Sequence, residues 1–92
     1  MSADRPAGPF ETEREARAAA LAAAGPPRPG WSILNEAQRH NMLLDACADA
    51  GVAVGAYDSH IVAWLTHWED PTVAVIAGLI SRAHAAGRDG AR

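Results

Sequence analysis

The stretch GAYDSHIVAWLTHWEDPTVAVIAGLISRAHAAG, Gly55 to Gly87, decides the fold, because it spells two capped, strongly apolar helices joined by almost no loop. Asp58 has the side chain of an N-cap, and Tyr57, Ile61, Trp64, Leu65 and Trp68 then recur at helical spacing. The first of the two helices is therefore predicted to run from Asp58 to about Trp68 with that stripe as its apolar face, leaving Ser59, His60, Ala63, Thr66 and His67 opposite. Asp70 followed by Pro71 is the N-cap and N1 pairing that opens the second helix, and Gly87 is expected to close it. Between them Val73 to Ile80 is apolar on every face, so this helix must be covered on more than one side. If Trp64 and Leu65 are buried, replacing either by alanine should cost roughly 2 to 5 kcal/mol.

Working outward, a third helix is predicted from Ser32 or Asn35 to Ala50, with Gly51 as its C-cap. Leu34, Ala37, Leu44, Cys47 and Ala48 are read as its inner face and Glu36, Arg39, Asp45 and Asp49 as its outer one. The joint GVAVG is too short for a strand pair and is expected to be an extended loop tucked against the core. Upstream, GPPRPG (Gly25 to Gly30) cannot continue a helix and reads as a stiff spacer. Before it, Thr12 with Glu15 forms a capping box, Glu13 and Arg17 pair at i,i+4, and a helix runs to Ala24. That helix has Leu21 as its one large apolar side chain, with Phe10 just outside, and residues 1–10 have nothing to pack and are expected to be disordered. The reading is an all-α chain: a mobile Ala-rich helical arm over residues 1–30, with one helix at about 12–24, then a helical core domain over 31–92, together a small three- to four-helix bundle.

Composition agrees with that class. Alanine supplies 22 of 92 residues against 16 for Val, Ile, Leu and Phe together, which favours closely packed helices over a sheet of β-branched side chains. So short a chain buries a small fraction of its surface and gains from partner contacts. The net charge of −3 and the scatter of Arg39, Arg82, Arg88 and Arg92 disfavour a nucleic-acid surface, which gathers its cations on one face. Eight arginines stand beside no lysine, a pattern assigned to codon bias. Cys47 is a lone cysteine, and the apolar runs are far below the roughly 18 to 20 residues that span a bilayer. With no basic n-region or apolar h-region at its start, the chain reads as cytoplasmic and not membrane-bound.

Candidate sites follow from what the helices leave over. The surplus apolar surface of the last helix, with its neighbour, predicts a partner interface at Trp64, Trp68, Val75, Leu79 and Arg82, engaging a second copy as a homodimer or another protein. Small residues at i,i+4 spacing, Ala77, Ser81 and Ala85 on one edge and Ala74 and Gly78 on another, suit close helix approach within the chain or between subunits. A rival reading is a helix-turn-helix-like DNA-binding factor with contacts at Arg39, Ser59, His60 and His67. Another is an acidic inhibitor of a host enzyme or defence complex, acting through Asp45, Asp49, Asp58, Glu69 and Asp70. Metal is not expected, since His60 and His67 would lie about 10 Å apart along one helix and no i,i+4 His pair exists. Ser59 and His60 are adjacent and diverge, Cys47 sits on an apolar stripe, and no catalytic or cofactor-binding residue is assigned; the chain is read as non-enzymatic.

The segment GAYDSHIVAWLTHWEDPTVAVIAGLISRA resembles a motif that recurs in small uncharacterised helical proteins of actinobacteria and their phages and mobile elements, of the form GAYDxxIxxWLxxWExxTVxVIxGLIxRA. The shared part is the Trp64 and Trp68 pair, the Glu69 to Thr72 junction and the Val/Ile-rich helix after it, about a third of the chain. The resemblance implies a phage- or element-borne accessory protein of a bacterial cytoplasm. It carries over no activity or site residue.

Overall fold

Four helices lie in the computed structural model, which describes residues 7–23 and 33–90: α1 (Glu13–Ala23), α2 (Glu36–Asp49), α3 (Ala56–Leu65) and α4 (Asp70–Gly90). The described residues hold no strand, and the chain is an all-α bundle. Its axis is α4. Both α1 and α2 pack along it, while α3 attaches mainly to α2. The buried core is Leu34, Met42, Leu43 and Val73 filled in by Ala16, Ala20, Leu21, Ala46, Ala74 and Ala77, with Phe10, Val62, Leu65, Ile76 and Ile80 packed at its edge. Alanines on α1, α2 and α4 let three backbones approach closely, which answers the small-residue spacing along α4 with packing inside one chain.

Helix one is a core element in this structure. Its lack of bulk suits contact with α4: Ala16, Ala20 and Leu21 are buried, and Phe10 packs beside them. The capping signal is present in modified form, because Thr12 Oγ1 accepts from Glu15 N at 3.2 Å while Glu15 Oε1 accepts from Glu11 N at 2.8 Å. The Arg17 to Glu13 pair closes at 2.8 Å. Ahead of α1, the backbone carbonyl of Ala7 accepts from Arg82 Nη1, so residues 7–10 lie against α4 where disorder was expected. Residues 1–6, the end of helix one at Ala24, the GPPRPG spacer and the alternative cap Ser32 lie outside the described residues.

That docked segment explains one glycine. A Cβ on Gly78 would stand 2.7 Å from the Ala7 carbonyl oxygen, whereas one on Gly87 would meet nothing within 4 Å. Helix propensity alone favours alanine over glycine by about 1 kcal/mol. Gly87→Ala is therefore expected to stabilise the protein by up to about 1 kcal/mol, and Gly78→Ala to forfeit that gain and release the Phe10 segment. Thermal melts of the two variants against the parent would check this; equal gains at both positions would contradict the docking of residues 7–10.

α2 starts as expected at its second candidate cap: Asn35 Oδ1 accepts from Gln38 N at 2.8 Å, and Gln38 Oε1 accepts in return from Asn35 N at 2.9 Å. It ends in a Schellman turn, with Gly51 at φ +74 and Val52 N bonded to Cys47 O at 2.9 Å. Its buried face differs from the expected one. Met42, Leu43 and Ala46 are buried, while Ala37 and Ala48 are exposed and Leu44 and Cys47 half-buried. The reason is Arg39, which belongs to the inner face and was counted with the outer charges. Val52 is exposed, so the GVAVG joint is not tucked inward at that residue.

α3 is capped at Gly55 and not at Asp58, which sits three residues into the helix and accepts from Gly55 N at 3.0 Å. The helix stops at Leu65, and Thr66 ends it with its hydroxyl bonded to the Ala63 carbonyl. α4 in turn continues past Gly87, which does not adopt a positive φ, to Gly90.

Candidate protein-interaction face

Of the expected apolar stripe, Tyr57, Trp64 and Trp68 point outward, while Ile61 is half-buried and Leu65 packs on the core as expected. Val62 and Leu65 pack on the core and Thr66 is buried, so the inner face is rotated by one residue from the stripe through Tyr57, Trp64 and Trp68. One residue is about 100° on a helix, enough to turn a buried row into an exposed one. Tyr57 is 74% exposed, Trp64 53% and Trp68 49%. The burial assumed for Trp64 is thereby corrected, and with it the large stability cost of truncating it.

What holds this face in place is a polar joint that the sequence hid. Asp70 was read as the cap of its own helix; its side chain instead is buried, at 2% exposure for the residue, and leaves α4 to serve the start of α2. Leu34 N donates to Asp70 Oδ2 at 2.8 Å, and Arg39 Nη1 lies 3.2 Å from Oδ1. The same guanidinium donates from Nε to the Thr66 carbonyl at 2.6 Å and from Nη1 to the Leu34 carbonyl. One arginine thus ties the entry of α2, the end of α3 and the start of α4. Bonds to a charged group in a shielded site are the stronger kind, so this joint fixes the turn on which Trp68 stands.

There Trp68 meets Trp64 of α3 edge to face, with ring centroids 5.8 Å apart, and Tyr57 stacks on His60 at 6.0 Å. Beside Trp68 is a cleft of about 290 Å³ walled by Ile33, Arg17, His67 and Glu69 and floored by the Arg39 and Asp70 pair. Glu69 also borders a second cleft, which holds Phe10, Pro71 and Val75. Trp68 and Val75 therefore flank the same carboxylate. Farther along α4, Leu79 is 53% exposed one turn after Val75, so both apolar residues expected at the interface are open to solvent.

The lining of the Trp68 cleft carries both signs of charge, Arg17, Arg39 and His67 beside Glu69 and Asp70. Glu69 approaches Arg17 at 3.9 Å while Arg17 is engaged by Glu13 at 2.8 Å, which together with Asp70 raises the guanidinium pKa above its ordinary value, the Glu13 hydrogen bond being the largest cause. Glu36 Oε2 faces His67 Nδ1 at 3.6 Å. Arg82, the remaining residue of the expected interface, is half-buried and donates from Nη1 to the Ala7 carbonyl.

No family model, curated protein or solved structure matches this chain. The rival readings must therefore stand on geometry. For the DNA reading, Arg39 supplied the cation, and it is held inside the joint; Ser59, His60 and His67 remain exposed without it. For the inhibitor reading, Asp70 leaves the acidic surface by being buried. Among the described residues no group of three or more His, Cys, Asp and Glu side chains is placed to hold a metal ion, and no helix is long and apolar enough to cross a membrane. Sequence reasoning missed Ile33, 70% exposed beside Trp68, and the Arg39 to Asp70 joint. The signal for the joint was an arginine at i−4 from Leu43 on what proves to be the buried face.

Proposed function

We propose that this protein is a non-enzymatic interaction module that forms a homodimer through the outer face of α3, with Val75 and Leu79 of α4 as the flank of the contact. The observation that carries the reading is the Trp64 and Trp68 pair, two large aromatic side chains standing about half exposed, one on the last turn of α3 and the other on the joint after it. Aromatic residues in that state are the commonest anchors of protein interfaces and expose apolar area that a solitary small domain gains by covering. On this reading the small core and the partner contact share the work of stabilisation, as the length of the chain demands.

The cellular setting we propose is that of an accessory or regulatory protein of a bacterial phage or mobile element, acting in the cytoplasm, on the resemblance of the Gly55 to Ala83 segment. Static light scattering over a concentration series tests the dimer. The expected result is a mass that rises from monomer to dimer by tens of micromolar; a monomer mass throughout the series would remove the reading.

A further inference from the structure

We infer that acid releases the contact face of α3, because His60 stands inside its aromatic row and a protonated imidazole there opposes the approach of a second copy; this rests on the self-association proposed above. His60 was expected on the side of α3 away from the aromatic residues, and the structure puts it among them. Its ring stacks on Tyr57, with centroids 6.0 Å apart and planes 26° from parallel. It follows Tyr57 by three residues and precedes Trp64 by four, the spacings that bring side chains into one row on a helix. All three are exposed, so a partner that covers Tyr57 and Trp64 covers His60 with them.

Covering the ring takes it out of water. A neutral imidazole loses little by this, whereas the charged form loses its hydration and needs a compensating charge. None stands at this point of the face. Among the described residues His60 has no ion pair; the phenol of Tyr57 is the titratable group beside it, and Asp58 is engaged with Gly55 N at 3.0 Å. The element against which α3 mainly packs, α2, brings its charges to the other end: Glu36 Oε2 faces His67 Nδ1 at 3.6 Å, and Arg39 donates to the Thr66 carbonyl at 2.6 Å. Arg17 of α1 and Glu69 and Asp70 at the start of α4 gather around the Trp68 cleft, again beside His67. Protonated His67 therefore meets a carboxylate of its own chain, and protonated His60 does not. In a contact of like faces both copies carry this residue, so acid penalises association twice.

The test is the dissociation constant of the full-length protein by sedimentation equilibrium at about pH 7.5 and about pH 5.5, with circular dichroism at both, on either side of the range in which imidazoles ordinarily titrate. At the lower pH each copy must shed a proton to associate, a penalty of up to about tenfold per copy. The dissociation constant of the parent is expected to rise at least about 10-fold at unchanged helicity. For His60→Phe, which keeps a ring beside Tyr57 and takes no proton, and for His60→Gln as a second uncharged version, the change is expected to stay under about 3-fold, while His67→Gln keeps the parent's ratio. A parent that dimerises equally well at both pH values overturns this inference while the dimer stands. So does a parent that loses helicity at the lower pH, since the fold and not the face is then the acid-sensitive part, with the buried, unpartnered Nε2 of His40 as the group to test next. A His60 variant that responds like the parent, or a His67→Gln protein that does not respond, overturns it by moving the response to another group. Two His60 variants that are both monomeric at the higher pH overturn it as well, because the imidazole is then an anchor and not a removable charge. A parent that is monomeric at the higher pH overturns both readings.

Discussion

Asp70→Ala is expected to lower the free energy of unfolding by about 3 to 5 kcal/mol, the range for removing one member of a buried ion pair and leaving the other. The carboxylate serves two donors at once, Leu34 N at 2.8 Å and Arg39 Nη1 at 3.2 Å, and both lose their partner together. Arg39 retains its bonds to the Thr66 and Leu34 carbonyls, which places the loss toward the lower end of that range. A domain of this size holds the lower part of the range of about 5 to 15 kcal/mol typical of folded proteins, so roughly half of its stability rides on one side chain. Asp70→Asn separates the two roles, because an amide oxygen still accepts from Leu34 N while the charge facing Arg39 is gone; a loss of about 1 to 3 kcal/mol is expected there. Urea denaturation followed by circular dichroism measures both. A loss of about 1 kcal/mol or less for the alanine variant would match a simple helix cap and contradict the buried joint.

Trp64→Ala combined with Trp68→Ala is expected to do the reverse: to leave the fold nearly intact and to weaken dimerisation at least about 30-fold, an energy of about 2 kcal/mol or more. Half-exposed side chains contribute little to a monomer's core and much to an interface that covers them. Leu65→Ala serves as the contrast, because Leu65 packs at the edge of the core. It should lower the melting temperature while leaving the monomer to dimer balance of the folded fraction largely unchanged. Should the double tryptophan variant melt far below the parent, the indoles would be structural and the face would lose its functional meaning.

The contrast between these variants also shows how far the sequence could be read. Helix class and most helix starts were legible because they rest on local chemistry: Asn35 and Gln38, Glu13 and Arg17, and the left-handed Gly51 are all within a turn of what they stabilise. Helix phase was harder. In α2 and α3 the inner row contains a polar residue, Arg39 in one and Thr66 in the other, and a pattern that expects polar residues outside rotates away from it. The same rotation placed Trp64 inside, where its size suggested it belonged. Asp70 was misplaced for a related reason: Asp before Pro is a strong local cap signal, and its partners Leu34 and Arg39 lie more than thirty residues away. Helix one was set apart as an arm because it lacks bulk, whereas an alanine face is what a closely approaching α4 requires. At the candidate face, Trp64, Trp68, Val75 and Leu79 were named for a partner contact and are exposed, Trp64 against the burial also read for it, whereas Ile33 beside Trp68 emerges from the tertiary arrangement.

The claim at the centre is that the outer side of α3 is a contact surface for another copy of the chain. Sedimentation equilibrium of the parent and of the double tryptophan variant, at the same tens of micromolar and in the same buffer, tests it most directly. The account predicts a dimer for the parent and a monomer of unchanged helicity for the variant; a parent that sediments as a monomer, or a variant that remains a dimer, would contradict it.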